Sequence, residues 1–362
     1  MERCEKCGLL LSYPNSVTSG KQKTCNYCRN FKKKNFLGEE KLIERLKSEE
    51  QIGVTVSGGK DSIYLWYWAV SRLGPDKVIA FNHRKVDATN DLAIENIQSA
   101  AQILKSKVVI IEDHEFYPRF INNLNIYINT PNPAILRAVL CAGCRNGISN
   151  RIFEECRKYN IKKVINGASY LELAPFKGYN MAQYGDGSET KGLLKGLMEN
   201  ENYLTKDNLE VIIKDHYNCH HTNLSNKDNQ YDIDYIDFYD YFENNPEIVK
   251  NVVVSKLNWK YPKDQTWHFD CIVEDFKQLF YFISYGYTEL DYKYSEMVRY
   301  QLLSREASIH LLNEGNVQIM KNYLILREFL QKVIWDENTI QKFDQLCKMK
   351  CKLPNSMIKK IS

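Results

Sequence analysis

The stretch Val54-Thr55-Val56-Ser57-Gly58-Gly59-Lys60-Asp61-Ser62 constrains this chain more than any other. A β-branched run enters a short loop with two adjacent glycines, and an apolar stretch with helical spacing follows. Strand, glycine loop and helix in that order make an anion site. The glycines allow positive φ and close backbone approach, while the helix N-terminus aims free N–H groups and its positive dipole end at the same spot. Ser57, Gly58, Gly59 and Ser62 are expected to hold phosphate through backbone and hydroxyl donors, with Lys60 as a point charge. An acid beside phosphate is repulsive unless a cation lies between them, so Asp61 predicts Mg²⁺, and Lys60 and Asp61 are the candidate catalytic pair. The spacing is not a Walker A motif, which needs four residues between its first glycine and Gly-Lys-Ser/Thr.

At 362 residues the chain exceeds one average domain, and 44% hydrophobic content supplies real cores. No run approaches the ~18 to 20 apolar residues of a membrane helix, and the start Met1-Glu2-Arg3-Cys4-Glu5-Lys6 lacks a signal peptide's apolar region. A cytoplasmic protein without a membrane partner is expected. The net charge of +4 does not demand a nucleic-acid surface, although charge alone does not exclude one. The basic runs Lys32-Lys33-Lys34 and Lys348, Lys350, Lys352, Lys359, Lys360 read as solvated surface.

Eleven cysteines without a secretion signal point to metal or redox chemistry. Cys4-x2-Cys7 and Cys25-x2-Cys28, separated by seventeen residues, have the spacing of two metal-binding knuckles. Four thiolates complete a tetrahedral Zn²⁺ site that lets a short segment fold with little core, and such a closed site is structural. A second pair, Cys141-Ala142-Gly143-Cys144, precedes Arg145 and a helical stretch. Three readings stay open for it: a Zn²⁺ half-site completed by Cys219, His220, His221 or Cys271, an iron–sulfur site with a third cysteine, or a redox pair. Two packed cysteines at a helix start are the plain alternative.

From residue 52 onward β-rich runs alternate with helical ones. Strands are expected at 53–57, 77–82, 107–112 and 162–167, and helices at 62–73, 91–104 and 147–159. The fold class is α/β, a doubly wound parallel sheet, with ligands beyond the carboxyl ends of the strands. Residues 57–62, 82–87, 113–115 and 167–172 should therefore converge. Gly167 is expected where backbone approaches ligand, Glu172 is a second metal or water contact, and His83 and Arg84 are phosphate or adenine contacts or surface residues. Residues 188–229 are polar and Asn-rich, as in an insertion or lid.

Ser57-Gly58-Gly59-Lys60-Asp61-Ser62 resembles the PP-loop of the ATP pyrophosphatases. That resemblance implies ATP cleavage between the α- and β-phosphates, adenylation of an acceptor oxygen, and displacement of AMP by nitrogen or sulfur. The order of four-Cys knuckle, PP-loop, internal CxxC, Asn258-Trp259-Lys260, Trp267-His268-Phe269-Asp270-Cys271 and Arg299 with Arg305-Glu306-Ala307 resembles the N-acetyl sugar amidotransferase family. The chain departs from it at Gly167-Ala168-Ser169-Tyr170-Leu171-Glu172, where a Gly-Glu-Asn-like stretch is usual, and in lacking the aromatic and proline of the internal cysteine motif.

The resemblance implies a zinc-binding module at 1–36, a PP-loop (HUP-like) domain at 37–185, an insertion at 186–230 and a mostly helical substrate or partner region at 231–362. It implies conversion of a bacterial surface sugar's acetamido group into an acetamidino group, with ammonia from a glutaminase subunit; a homodimer is one assembly to expect. Arg145, Arg299 and Arg305 become candidate contacts to an acidic sugar, and Trp267, His268 and Asp270 candidate acceptor residues. In thiolating PP-loop enzymes a CxxC with one distant cysteine carries a 4Fe-4S cluster. Sulfur transfer to tRNA or a small molecule is the alternative activity.

Overall fold

A computed structural model of the chain describes residues 2–16, 23–141, 144, 151–177, 232–262, 268–334 and 336–350. Arg145, Cys219, His220, His221, Trp267 and the 186–230 insertion lie outside the described residues. The chain runs α1 (Asn26–Arg29), α2 (Glu39–Leu46), β1 (Ile52–Thr55), α3 (Lys60–Leu73), β2 (Val78–Lys85), α4 (Asp91–Leu104), β3 (Lys107–Asp113), α5 (Phe116–Asn129), α6 (Leu136–Leu140), α7 (Phe153–Lys158) and β4 (Lys163–Asn166). Then follow β5 (Asp234–Asp237), α8 (Pro246–Leu257), α9 (Val273–Tyr285), α10 (Glu289–Arg299), α11 (Arg305–Val333) and α12 (Glu337–Lys350).

The five strands are parallel in the order β3-β2-β1-β4-β5. The chain moves outward through β2 and β3, then returns to the other side of β1, so strand order reverses between β1 and β4. A crevice opens at their carboxyl ends. Along β2, Val78 and Ala80 face one core with α2, α3, α4 and α8, while Ile79 and Phe81 face another with α7. This period-two alternation buries both sheet faces, as a doubly wound sheet requires.

Local chemistry starts the helices. Asn90 caps α4 by accepting from the Leu92 N–H, and Asn245 caps α8 ahead of Pro246. Thr288 and Asp291 close a reciprocal capping box on α10, and Ser304 caps α11. Helix α5 and strand β5 were among the elements absent from the sequence expectations. Helix α5 packs against α6 and α12, and β5, from the segment assigned to the C-terminal region, adds the fifth strand. The helix expected over 147–159 is described only as α7.

The C-terminal helices form a core of their own with α5, α6 and the N-terminal cysteine module. Phe176 is fully buried there, its ring 4.9 to 6.1 Å from those of Tyr13, Tyr281, Tyr285 and Tyr287. Among the described residues no helix is long and apolar enough to cross a membrane. Truncating Phe176 removes a ring that touches the N-terminal module and α9 together. Phe176→Ala is expected to cost about 3 to 5 kcal/mol, read as a lowered urea midpoint.

Candidate functional site

Strand β1 delivers the chain to the crevice, and two glycines set the loop beyond it. Gly58 has φ of +88°, and a Cβ there would lie 2.4 Å from the Ala93 carbonyl oxygen of α4. Both conformation and space exclude a side chain. The Gly58 carbonyl accepts from Trp259 Nε1 at 2.8 Å, and Asn96 pairs with the Lys260 backbone in both directions, at 2.8 and 2.9 Å. These bonds tie loop, α4 and the segment after α8 together. The Ser57 N–H donates to Ser62 Oγ at 3.1 Å, and Ser62 Oγ donates to the Gly59 carbonyl at 3.0 Å. The loop is thus closed on itself at the N-terminus of α3.

Gly167, after β4, comes against the same turn. A Cβ at Gly167 would lie 3.2 Å from Ser62 Cα and 3.3 Å from the Asp61 carbonyl oxygen. Around this junction lies a cavity of about 440 Å³, within the range of small-molecule sites. Ser57, Gly59, Lys60, Asp61, Ser62 and Gly167 line it, as do Glu172 and His268. Gly58 shapes the loop from behind.

Asp61 is heavily supported. Its Oδ2 accepts from Lys60 Nζ at 2.5 Å, and its Oδ1 from Tyr239 Oη at 3.1 Å and Asn244 Nδ2 at 3.0 Å. Burial alone would raise the Asp61 carboxyl, but Lys60 and Lys293 outweigh it and hold the pKa below the ordinary value. The group is therefore an anion in the cleft, fit to face a cation. Tyr239, Asn244, Trp259 and Lys293 went unread at the level of sequence as parts of this site. Trp259 lay inside a segment singled out by resemblance, whereas Tyr239 and Asn244 sit in an aromatic, acidic stretch without local periodicity.

At the end of β2, His83 Nε2 meets Asp113 Oδ2 at 2.9 Å, and Arg151 lies 3.3 Å from the Asp113 Oδ1. His83 lines the cavity, and its buried Nδ1 has no hydrogen-bond partner among the described residues. Burial pushes the His83 pKa down, with Lys85 and Arg151 acting the same way and Asp113 opposing. Arg84 is paired with Glu112 at 2.8 Å and half-exposed, a surface pair.

Lys85, next along β2, brings the internal cysteines to the cleft wall. Its Nζ lies 3.8 Å from Cys144 Sγ, and both residues line the cavity. Cys271 reaches the same place because its segment bridges Thr89, with the Ile272 N–H donating to the Ala88 carbonyl at 3.1 Å. Burial would lower the Lys85 pKa, but Cys144, Cys271, Asp270 and Cys141 together raise it. Burial pushes the Cys141 thiol up to about 12 and the Cys271 thiol up to about 11.

The four N-terminal cysteines form a tighter group, with all ligand atoms within 4.8 Å of one another. Cys4 and Cys28 sulfurs lie 3.8 Å apart and those of Cys7 and Cys25 3.6 Å apart. Hydrogen bonds from Cys28 and Cys7 hold the Cys25 thiol well below the ordinary range, and sharing of that proton raises Cys7. A metal fits this donor set, since thiolates closing on one point need a cation.

Arg299 and Arg305 belong to this module and not to the cleft. Arg299 is buried, donates to Glu296 Oε2 at 2.7 Å and to Cys7 Sγ at 3.3 Å, and lies over the rings of Tyr27 and Tyr292. Arg305 Nε donates to the Cys4 carbonyl at 3.2 Å. Glu296 and Cys7 together face the Arg299 guanidinium, and Arg305 meets a backbone carbonyl of the module.

No family model matches the sequence, and no curated protein matches it. Among solved structures, the chain is similar to a U34-tRNA thiolase from Methanococcus maripaludis solved with its 4Fe-4S cluster, at 15% identity and a TM-score of 0.34 over 86% of this chain and 89% of that one. It is similar to an NMN synthetase from Francisella tularensis at 15% identity and 0.27, over 47% and 71% of the two chains. It is similar to a glutamine-dependent NAD+ synthetase from Acinetobacter baumannii in complex with ADP at 18% and 0.29, over 51% and 34%. Scores this low leave the chemistry of the cleft to be argued from its own residues.

Two outcomes follow from the site geometry. Gly58→Ala is expected to cost roughly 1 to 3 kcal/mol, read as a lowered urea midpoint, because the added Cβ displaces the loop. His83 has a pKa below its unfolded value, so as pH falls below about 6.5 the unfolded chain takes up a proton that folded His83 resists. Stability should drop in that window, and denaturation curves of His83→Gln should show a shallower drop. Asp113 also has a depressed pKa, and its contribution is lost only at lower pH, as the carboxylate itself is protonated.

Proposed function

We propose that this protein is an ATP-dependent, AMP-forming amidotransferase that converts the acetamido group of a bacterial surface-glycan sugar, of nonulosonic or uronic acid type, into an acetamidino group. The observation that supports this best is the self-closed loop at 57–62, set at the switch point of a parallel sheet with Lys60 and Asp61 at its helix end. The amide oxygen attacks the α-phosphorus of ATP, breaking the α–β anhydride and releasing pyrophosphate. Ammonia from a glutaminase partner then adds to the activated carbon. AMP departs with the former amide oxygen, the ammonia nitrogen gives up one proton, and an amidinium remains. An amide oxygen is a poor leaving group, and adenylation removes that obstacle.

In this reading Ser57, Ser62 and the loop N–H groups bind the β,γ-phosphates beside Lys60. Asp61 would hold Mg²⁺, which supplies neutralisation of phosphate charge. The acceptor enters past His268 and Asp270, which line the cavity. The four-cysteine module takes Zn²⁺: bonds of ~2.3 Å in a tetrahedron put sulfurs about 3.8 Å apart, close to the spacings of the two cysteine pairs.

Purified protein given ATP, Mg²⁺, ammonium and acetamido sugars is expected to form AMP and pyrophosphate in equal amounts only when the right sugar is present. Asp61→Ala should abolish this with the fold retained. Acceptor-independent silence with every acetamido sugar would count against the reading.

One observation favours a second activity, sulfur transfer to tRNA or a small molecule. Cys144 lies 3.8 Å from Lys85 on the cleft wall, and Cys141 and Cys271 act on the same lysine through their charge, so a sulfur held by these cysteines would lie near the activated acceptor. Anaerobically purified protein with iron and sulfide that disappear in a Cys141→Ala, Cys144→Ala double variant would favour it. About one Zn per chain without iron would leave amidation in place.

A further inference from the structure

We propose that Lys293 is a second phosphate-binding cation of the cleft, contacting the pyrophosphate end of ATP alongside Lys60 of the loop at 57–62. The inference rests on the nucleotide reading above. Lys293 is carried by α10, more than two hundred residues beyond the loop, yet it lines the same cavity. Its side chain is only 7% exposed, and its Nζ lies 3.2 Å from Glu172 Oε1. Lys293 and Asp61 each feel the other's charge, and Lys293 feels that of Lys60.

Two cation–carboxylate pairs therefore stand side by side: Lys60 with Asp61, and Lys293 with Glu172. Holding a lysine there costs side-chain entropy and desolvation, which an ion pair recovers only in part. A tether between α10 and the turn Tyr170–Glu172 does not require it, because Leu171 already packs with Met297 and Tyr300. A phosphate chain accounts for the arrangement better. Its oxygens attract both ammonium groups, while Asp61 and Glu172 are left facing the accompanying cation. Breaking the α–β anhydride places added negative charge on the departing pyrophosphate, and a fixed ammonium stabilises that charge. Lysine suits the task because a compact ammonium meets phosphate oxygens as a point charge.

Calorimetric titration of the full chain with magnesium pyrophosphate tests this without turnover. Lys293→Met removes the phosphate-facing charge and is expected to weaken binding by at least about tenfold, whereas Lys293→Arg keeps that charge and should stay near wild type. The double variant Lys293→Met with Glu172→Gln leaves no orphaned charge, so it keeps the fold if the single variant does not, and it should also bind weakly. Wild-type affinity in a folded Lys293→Met or double variant overturns the inference and leaves the loop reading standing. Absence of pyrophosphate binding by the wild-type chain overturns both.

Discussion

The left-handed backbone at Gly58 is the constraint on which the site depends. It turns the chain sharply after β1 and lets the loop press against Ala93 of α4 with no side chain between them. The Gly58 carbonyl then faces Trp259, whose indole N–H claims it at 2.8 Å. One glycine thus joins the sheet, α4 and a segment from the C-terminal half. The free N–H groups at the start of α3 stay aimed at the crevice because the carbonyl side of the loop is already satisfied.

The cysteine module acts as a buttress of the C-terminal helices. Cys4, Cys7 and Tyr13 share a core with Phe176, Phe276 and Tyr287, so the module is part of the main body and not an appended bead. Arg299 crosses from α10 to Cys7, flanked by Tyr27 and Tyr292. Because α10 also carries Lys293, the module that holds Arg299 helps set where that ammonium lies. Below the internal cysteines, Lys277 pairs with Glu274 at 2.6 Å and Glu289 at 3.3 Å, and Lys177 also pairs with Glu289. Burial lowers the Lys177 pKa to about 8, partly opposed by Glu289. Such buried pairs add little net stability, and removing one partner would leave the other uncompensated.

Much of the architecture was legible because it is local. The β-branched runs of β1 to β4, the glycine loop and the cysteine spacings each announce themselves within a few residues. Asn90 and Ser304 mark helix starts in the same way. Strand β5 was not legible: Asp234-Tyr235-Ile236-Asp237 has four residues, two of them acidic, and is a strand because β4 offers it an edge. Helix α5 was missed for another reason. Phe116 and Phe120 share its buried face, but Pro118 and several asparagines weaken its intrinsic helical signal, and packing supplies the rest.

By itself, the sequence determined the fold class, the glycine turn of residues 57–62 and the four-cysteine module, since each depends on short-range spacing and backbone freedom. The tertiary structure alone decided which distant side chains complete the cleft. Tyr239, Asn244 and Lys293 reach Asp61 or its neighbours because strand β5 pairs with β4 and helix α10 packs on the turn Tyr170–Glu172 that follows β4. It also sent Arg299 and Arg305 to the cysteines. A charged side chain's partner is set by the elements that bring opposite charge within a few ångströms, and no local pattern records that distance.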